Sequence, residues 1–525
     1  MRRSRSAAGR RGKNSAQQER KMSARPEGQW WRMWIVNRIP IPIARPEPRE
    51  TGRPAYHFFQ EPAEICRFRS QLLGWYDSTK RELPWRTVAT TEPDINVRTY
   101  AVWVSEIMLQ QTQVATVIDY YNKWMKKWPT VQKLAEATLE EVNQMWAGLG
   151  YYSRGRRLHE GAQKVVSQFG GKMPNTTDAL LKQLPGVGRY TAGAVGSIAL
   201  GQVTGAVDGN VIRVLCRVRA IGADCTSNPV TEALWKTAHT LVDPERPGDF
   251  NQALMELGAR VCTPKNPLCV QCPIQTMCHA SRKVSFKQEK DSKSNLNPAI
   301  NGCTPDIENC STPGTCDLCL SEPWDGQLGV QNYPRKPAKK PPRVERTLVC
   351  VVESSGAGEE KEYLLTRRPD KGLLAGLWEF PMVLLEEGGS EAQQKDILCS
   401  EVGKILGAQL DKELLQFVGE VVHIFSHIHQ TYVVYKMALS GSRGTEQKST
   451  GRWLTKCALQ EAAVSTGLKK IMKLYEDKIN LKEEQNVDKK RKRSSDSKIE
   501  KLQRSRKTKD RGRSKQLSLS QFLRR

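Results

Sequence analysis

Residues 184–193 read Leu-Pro-Gly-Val-Gly-Arg-Tyr-Thr-Ala-Gly, between two helical patterns. A Gly-x-Gly turn at Gly186 and Gly188 lets the backbone approach a ligand closely. The helix that follows would aim its N-terminal amides at an anion. Residues 148–193 also carry seven Lys/Arg against two acids, Glu160 and Asp178. That balance fits a hairpin gripping a DNA phosphate, which fixes register rather than sequence. An ordinary helix–helix turn fits the same residues about equally well.

Around this stretch, from about His57 to Ala280, helical patterns alternate with short Gly/Pro breaks. Ala101–Trp128, Leu139–Gly148, Arg154–Phe169 and Asn251–Val261 are examples. Strand-like alternation is scarce, so the block reads as all-α. The texture then changes. Arg346–Val352, Glu362–Arg367 and Thr431–Leu439 read as strands and Ser465–Tyr475 as helix, which makes an α+β domain. Five segments follow: a basic disordered tail over 1–55, a helical domain over 56–280 and a polar connector over 281–345. An α+β domain spans 346–478 and a second basic disordered tail spans 479–525.

The net charge of +26 suggests a polyanionic partner, but residues 1–32 and 481–525 supply +19 of it. Bulk charge therefore says little about chemistry. No apolar run approaches the roughly 20 residues that cross a bilayer, so a soluble chain with no membrane partner is expected. Residues 1–25 lack the apolar core of a secretory signal. The 14 cysteines are then read as reduced thiols, and their clustering as metal binding.

Four of them form Cys262-x6-Cys269-x2-Cys272-x5-Cys278, directly after the helix Asn251–Val261. Four thiolates in one loop suit either an iron–sulfur cluster or zinc, and spacing alone does not choose. A second group, Cys310-x5-Cys316-x2-Cys319, needs a fourth ligand. His57, Cys216 and Cys303 are candidates, with His57 preferred. Two carboxylates complete the inventory. Glu106, on a helix predicted over Tyr100–Val117, has Val102, Trp103 and Leu109 on its face. Apolar neighbours should raise its pKa and let it act as an acid near neutrality. Asp208, in Val207-Asp-Gly-Asn210, precedes the apolar helix Val211–Val218, and a helix N-cap is its simplest role. One neutral and one ionised carboxyl would suit glycosidic cleavage.

Leu83-Pro-Trp-Arg86, Ser105-Glu-Ile-Met-Leu-Gln-Gln-Thr-Gln-Val114, Gly148-Leu-Gly-Tyr-Tyr152, the Gly-rich hairpin, Val207-Asp-Gly-Asn210 and the four-cysteine loop occur in this order. Together they resemble the MutY adenine DNA glycosylases of the helix-hairpin-helix superfamily over about residues 65–280, continuing into the second domain. The resemblance implies base excision of adenine mispaired with 8-oxoguanine or guanine, which prevents G:C to T:A transversions. It implies a [4Fe–4S] cluster on Cys262, Cys269, Cys272 and Cys278. Glu106 would protonate adenine, Asp208 would stabilise the sugar cation through a transient adduct, Asn210 would orient Asp208, and Tyr190 would support the sugar. Leu83, Trp85 and Arg86 would line the adenine pocket. Gln111 and Tyr151 would enter the stack at 8-oxoguanine. Lyase-active relatives place a Lys where Tyr190 stands, so no Schiff base is expected and the enzyme should be monofunctional.

Residues 345–478 resemble a Nudix-like fold without the acid-rich box. Ile397–Leu406 holds only Glu401, too few carboxylates to hold Mg²⁺ on a pyrophosphate. Phe425, Ser426 and His427 match the segment of that family that reads 8-oxoguanine, while His423 and His429 read as surface polars. The three-cysteine group resembles the zinc site of animal MutY homologues. Gln516, Leu519, Phe522 and Leu523 resemble a peptide that binds the sliding clamp PCNA, with Leu523 in place of a second aromatic. A checkpoint clamp and mismatch-repair proteins are further expected partners, and the protein should be a monomer. Lys489-Lys-Arg-Lys-Arg493 suits nuclear import, and the acid-poor N-terminus suits mitochondrial delivery. An oxidised-pyrimidine lyase, a pyrophosphatase and a non-catalytic DNA scaffold are the competing readings. Tyr190, the missing acidic box, and the presence of both Glu106 and Asp208 argue against them in turn.

Overall fold

The computed structural model describes residues 55–294, 310, 316–335, 341–355, 360–369, 372, 374–385, 389–425, 428–439 and 451–481. A helical lobe comes first. Its elements are α1 (Pro62–Thr79), α2 (Pro84–Thr91), α3 (Ile95–Leu109), α4 (Val114–Lys127), α5 (Val131–Glu136), α6 (Leu139–Trp146) and α7 (Ser153–Phe169). They continue with α8 (Thr177–Gln183), α9 (Arg189–Ile198), α10 (Gly209–Val218), α11 (Asn228–Leu241), α12 (Pro247–Arg260) and α13 (His279–Ser294). The expected helix over Ala101–Trp128 is two helices, because α3 stops at Leu109 and α4 starts at Val114. The same break divides the helix expected over Tyr100–Val117. The last helix, α13, runs into the segment read as a polar connector.

Among the described residues the helical lobe has two large cores. One gathers Trp103, Trp124 and Trp146, all fully buried, from α3, α4 and α6. Aromatic side chains of this size each remove roughly 150–250 Å² from water, a gain on the order of 4 kcal/mol before entropy. The other joins α1, α10, α11 and α12 through Phe68, Val214, Leu234, Phe250 and Leu257. Helix α9 packs on both α3 and α12, and α10 packs on α12. The seam between the cores is therefore walled by α3, α9, α10 and α12.

The second lobe is an α+β sandwich, as expected. Its strands are β1 (Arg343–Ser355), β2 (Lys361–Arg367), β3 (Trp378–Glu379), β4 (Met382–Leu385), β5 (Gln416–Ile424), β6 (Ile428–Leu439) and β7 (Arg452–Thr455). Sheet order is β3-β2-β1-β6-β5, with β4 on β1 and β7 on β2. Strand β1 runs parallel to β6, with Val349 opposite Val434, and the other pairs are antiparallel. Leu348, Cys350 and Val352 face helix α14 (Glu391–Leu406). Val349 and Val351 face the helix over residues 466–481 and α15 (Lys456–Glu461). A strand covered on both faces is apolar at every position, which is why Leu348–Val352 shows no alternation.

The lobes touch directly. Leu377 is fully buried and, with Ala463, belongs to the tryptophan core of the helical lobe. The Tyr152 hydroxyl donates to the Val464 carbonyl at 3.3 Å. Arg452 lies 3.5 Å from Glu140 across the same boundary, with both side chains about half exposed.

Candidate active site and metal centres

Glu106 sits in the last turn of α3, only 4% exposed. The Tyr190 hydroxyl, from the first turn of α9, donates to its Oε2 at 2.7 Å. Burial pushes the Glu106 carboxyl up to about 7. The Tyr190 bond and the Arg86 charge oppose that rise, and the Asp208 charge reinforces it. A carboxyl with this environment is a proton donor and acceptor at neutral pH.

Asp208 is the N-cap of α10, and the same position brings it to Glu106. Its Oδ1 accepts from the Asn210 and Val211 amides at 2.9 and 2.7 Å, and Oδ2 accepts from Asn210 Nδ2 at 2.8 Å. Burial raises its pKa, and these three donors oppose the rise by bonding the ionised form. Glu106 has one hydroxyl where Asp208 has three N–H groups. Both carboxyls are shifted upward by burial, and Asp208 differs in having three N–H donors that bond its ionised form.

Two neighbours escaped the sequence reading. Arg213 donates to Asn210 Oδ1 at 2.8 Å and, through Nε, to the Cys262 carbonyl at 2.7 Å. It thereby ties Asp208's partner to the four-cysteine loop. Its i+3 spacing from Asn210 on α10 was the available signal. Glu256 of α12 takes Arg81 on both carboxylate oxygens, at 2.6 and 2.9 Å, and Arg86 at 2.9 Å. Burial alone would raise Glu256, but the two guanidinium groups outweigh it and hold the carboxyl below its usual range. Gln252 adds a bond to Arg86 at 3.0 Å. Arg86 is thereby fixed beside Glu106, whereas Leu83 and Trp85 lie in the buried helical core, Trp85 edge-on to Tyr121.

Gln111 and Tyr151 share an unusual backbone. Their φ angles are +54° and +47°, in the left-handed region. That conformation costs a non-glycine residue roughly 1–2 kcal/mol. Both side chains are exposed, Tyr151 by 45%. The neighbouring Gly148 has φ +98°, and a Cβ there would lie 2.5 Å from the Tyr120 hydroxyl. In the hairpin, Gly186 has φ +77° and Gly188 caps α9, so the α9 amides point into the turn as expected.

Cys262, Cys269, Cys272 and Cys278 line one partly open pocket, walled also by Val214, Leu257 and Ile274. Burial pushes the Cys272 and Cys278 thiols up to about 12, so only a bound cation would keep them ionised. Arg217 Nη1 lies 3.3 Å from Cys262 Sγ. The sulfur-lined space and this cation suit an iron–sulfur cluster. The second group also assembles. His57, Cys310, Cys316 and Cys319 offer ligand atoms all within 4.8 Å of one another. Tetrahedral zinc with ~2.3 Å bonds to sulfur needs ligand atoms about 3.8 Å apart. His57 Nδ1 lies 2.9 Å from the Arg219 carbonyl, which leaves Nε2 to face Cys319 Sγ at 3.3 Å. Cys216 is instead fully buried in the α10 core, and Cys303 lies outside the described residues.

An opening of about 1000 Å³ lies between the lobes, bounded by Tyr151, Tyr152, Leu374, His423, Phe425 and Ser465. Phe425 closes the β5–β6 turn, its amide on the Ile428 carbonyl at 2.8 Å. Ser426 and His427 lie outside the described residues, as do Gln516, Leu519, Phe522 and Leu523. His423 is not an ordinary surface polar. It packs edge-on to Phe425 at 4.4 Å, and its Nδ1 is buried without a hydrogen-bond partner among the described residues. His429 is exposed.

Residues 104–239 match the HhH-GPD superfamily base excision DNA repair protein family, and residues 355–474 match the NUDIX domain. The adenine DNA glycosylase of Mus musculus is 56% identical over 425 residues, covering 80% of this chain and 80% of its own. That of Homo sapiens is 57% identical over 426 residues, covering 80% of this chain and 76% of its own. Among solved structures, the complex between the C-terminal domain of mouse MUTYH and human PCNA is 44% identical. It covers 25% of this chain and 88% of that chain, with a TM-score of 0.23.

Proposed function

The chain belongs to the adenine DNA glycosylase family, and from that premise we propose that it excises adenine paired with 8-oxoguanine, or with guanine, and stops at the abasic site. The observation that carries the proposal is the set of buried Glu106 with half-buried Tyr190, Asp208 and Asn210, in which burial raises Glu106 to about 7 and three N–H donors bond the ionised form of Asp208.

The hairpin at Gly186–Gly188 holds a DNA phosphate on the amides of α9. Gln111 and Tyr151 enter the stack beside 8-oxoguanine, and their contacts offset the few kcal/mol needed to unstack adenine. Glu106 delivers its proton to adenine, and the N-glycosidic bond breaks as the base leaves. Asp208 stabilises the positive charge on the sugar and closes on the anomeric carbon as a transient ester. Water then cleaves the ester, Glu106 takes the proton, and Asp208 leaves as carboxylate. Asn210 and the α10 amides hold Asp208 in line throughout. Tyr190 keeps Glu106 oriented and offers no amine for a lyase step.

Phe425, Ser426 and His427 read the 8-oxoguanine edge from the second lobe. The four-cysteine loop holds [4Fe–4S], and His57, Cys310, Cys316 and Cys319 hold Zn²⁺. Each metal group, when bound, braces the loop that supplies its ligands. Gln516, Leu519, Phe522 and Leu523 engage PCNA, and the two basic tails direct the protein to nucleus and mitochondrion.

Single-turnover cleavage of duplexes with adenine opposite 8-oxoguanine, guanine and cytosine, run with and without borohydride, tests this reading. Cleavage should be fastest opposite 8-oxoguanine and slowest opposite cytosine, without a high yield of trapped adduct. Equal rates on the three duplexes would sink the opposing-base assignment. High-yield trapping would sink the monofunctional one.

A further inference from the structure

The turns that carry Gln111 and Tyr151 are far apart in sequence, yet one buried side chain reaches both. Arg154 is 7% exposed and lies in the first turn of α7. Its Nη1 donates to the Met108 carbonyl at 2.8 Å and to the Gln110 carbonyl. Its Nη2 donates to Thr112 Oγ1 at 3.1 Å and to the Gly150 carbonyl at 2.9 Å. Its Nε donates to the Tyr151 carbonyl at 3.4 Å. The bonds bracket Gln111 on both sides and end on Tyr151 itself. The guanidinium carbon also lies 5.4 Å from the centre of the Tyr151 ring.

Both turns have a backbone that calls for such support. Each contains a non-glycine residue in the left-handed region, a conformation that persists only where surroundings over-determine it. A planar guanidinium with five fixed donors can bond two turns at once, whereas an ammonium offers a single point of attachment. Arg154 remains charged at neutral pH, since burial lowers its pKa only to about 10.

We infer that Arg154 is a positioning residue that locks both turns in one arrangement, so that Gln111 and Tyr151 enter the duplex as a unit. The inference rests on the reading of those two residues as stack-entering wedges. It makes their contributions thermodynamically coupled to a residue that never touches DNA.

A double-mutant cycle on the full chain separates these claims. Affinity is measured for a duplex carrying an uncleavable adenine analogue opposite 8-oxoguanine, and 2-aminopurine fluorescence reports unstacking. Arg154→Lys should weaken both by about tenfold in the wild-type background. In the Gln111→Ala/Tyr151→Ala background it should change them by less than about twofold, as expected for residues acting through one another. A tenfold loss in both backgrounds would overturn the positioning role while leaving the wedges intact. Wild-type behaviour of the Gln111→Ala/Tyr151→Ala protein would overturn the wedge reading, and this inference with it. If Arg154→Lys melts early or loses its iron–sulfur absorbance, the cycle is run with Thr112→Val, which removes one bond. A loss of about threefold that vanishes without the wedges supports the inference. An unchanged or additive loss overturns it.

Discussion

The two lobes place their polar groups differently. In the helical lobe they are bonded to one another around two buried carboxyls, Glu106 and Glu256: Tyr190 on Glu106, Asn210 on Asp208, Arg81 and Arg86 on Glu256. In the sheet lobe the middle of β1 is apolar on both faces, with buried polar pairs nearer its ends, Gln430 on Thr347 and Tyr475 on Glu353, and Phe425 and His423 sit at the rim facing the other lobe. The proposed function accounts for the difference. Acid catalysis requires a carboxyl whose pKa is moved by burial, which an exposed rim cannot supply. Recognition of an opposing base requires groups at an edge that DNA can reach.

If that division holds, the largest effect comes from the buried acid. Glu106→Gln should abolish single-turnover cleavage and preserve duplex binding. It should also stabilise the protein. Burial raises Glu106 from 4.5 to about 7, so ionising it opposes folding once the pH exceeds the unfolded value. The cost approaches about 3 kcal/mol above pH 7 and shrinks below about pH 5. Denaturant melts at pH 8 and pH 5 check the sign: the variant should gain at pH 8 and much less at pH 5.

The next effect lies where the lobes join. Leu377→Ala removes a fully buried plug from the helical core and should cost about 2–5 kcal/mol. It should also reduce the preference for adenine opposite 8-oxoguanine over adenine opposite guanine, since the reading rim is no longer held in place. An unchanged preference would mean that the rim is positioned by other contacts. Tyr152→Phe, which loses the bonds to Val464 and from Gly148, should cost about 1–2 kcal/mol by the same melts. Glu140→Gln, at a half-exposed pair, should shift stability by less than about 0.5 kcal/mol.

Much of this was legible in the chain, for reasons that differ by element. The helical lobe shows because α7 and α12 carry apolar residues at helical spacing. Strand β3 shows only within Gly372–Pro381, which fits a strand and its entry loop, while β4 and β7 do not show, being four residues long, too short for an alternating pattern. The break between α3 and α4 is invisible because Gln-Gln-Thr-Gln over 110–113 contains neither Gly nor Pro. Tertiary bonds from Arg154 hold that break, and no local propensity encodes them. Glu106 was readable as a raised carboxyl from its apolar neighbours on one helix face. Its bond to Tyr190 spans 84 residues and was not. Asp208 was ambiguous between cap and reactant, and the structure makes it a cap beside Glu106. His57 was only the preferred fourth ligand, since nothing in its local sequence points to Cys319, 262 residues away, or to its two companions.

The central claim is that Glu106 supplies a proton from a carboxyl held near neutrality. The single-turnover rate for adenine opposite 8-oxoguanine, followed from pH 5 to pH 9, tests it most directly. The acid is lost as the pH rises through about 7, so the rate should fall about tenfold per unit above that point. A rate that stays level through pH 9 would contradict the account.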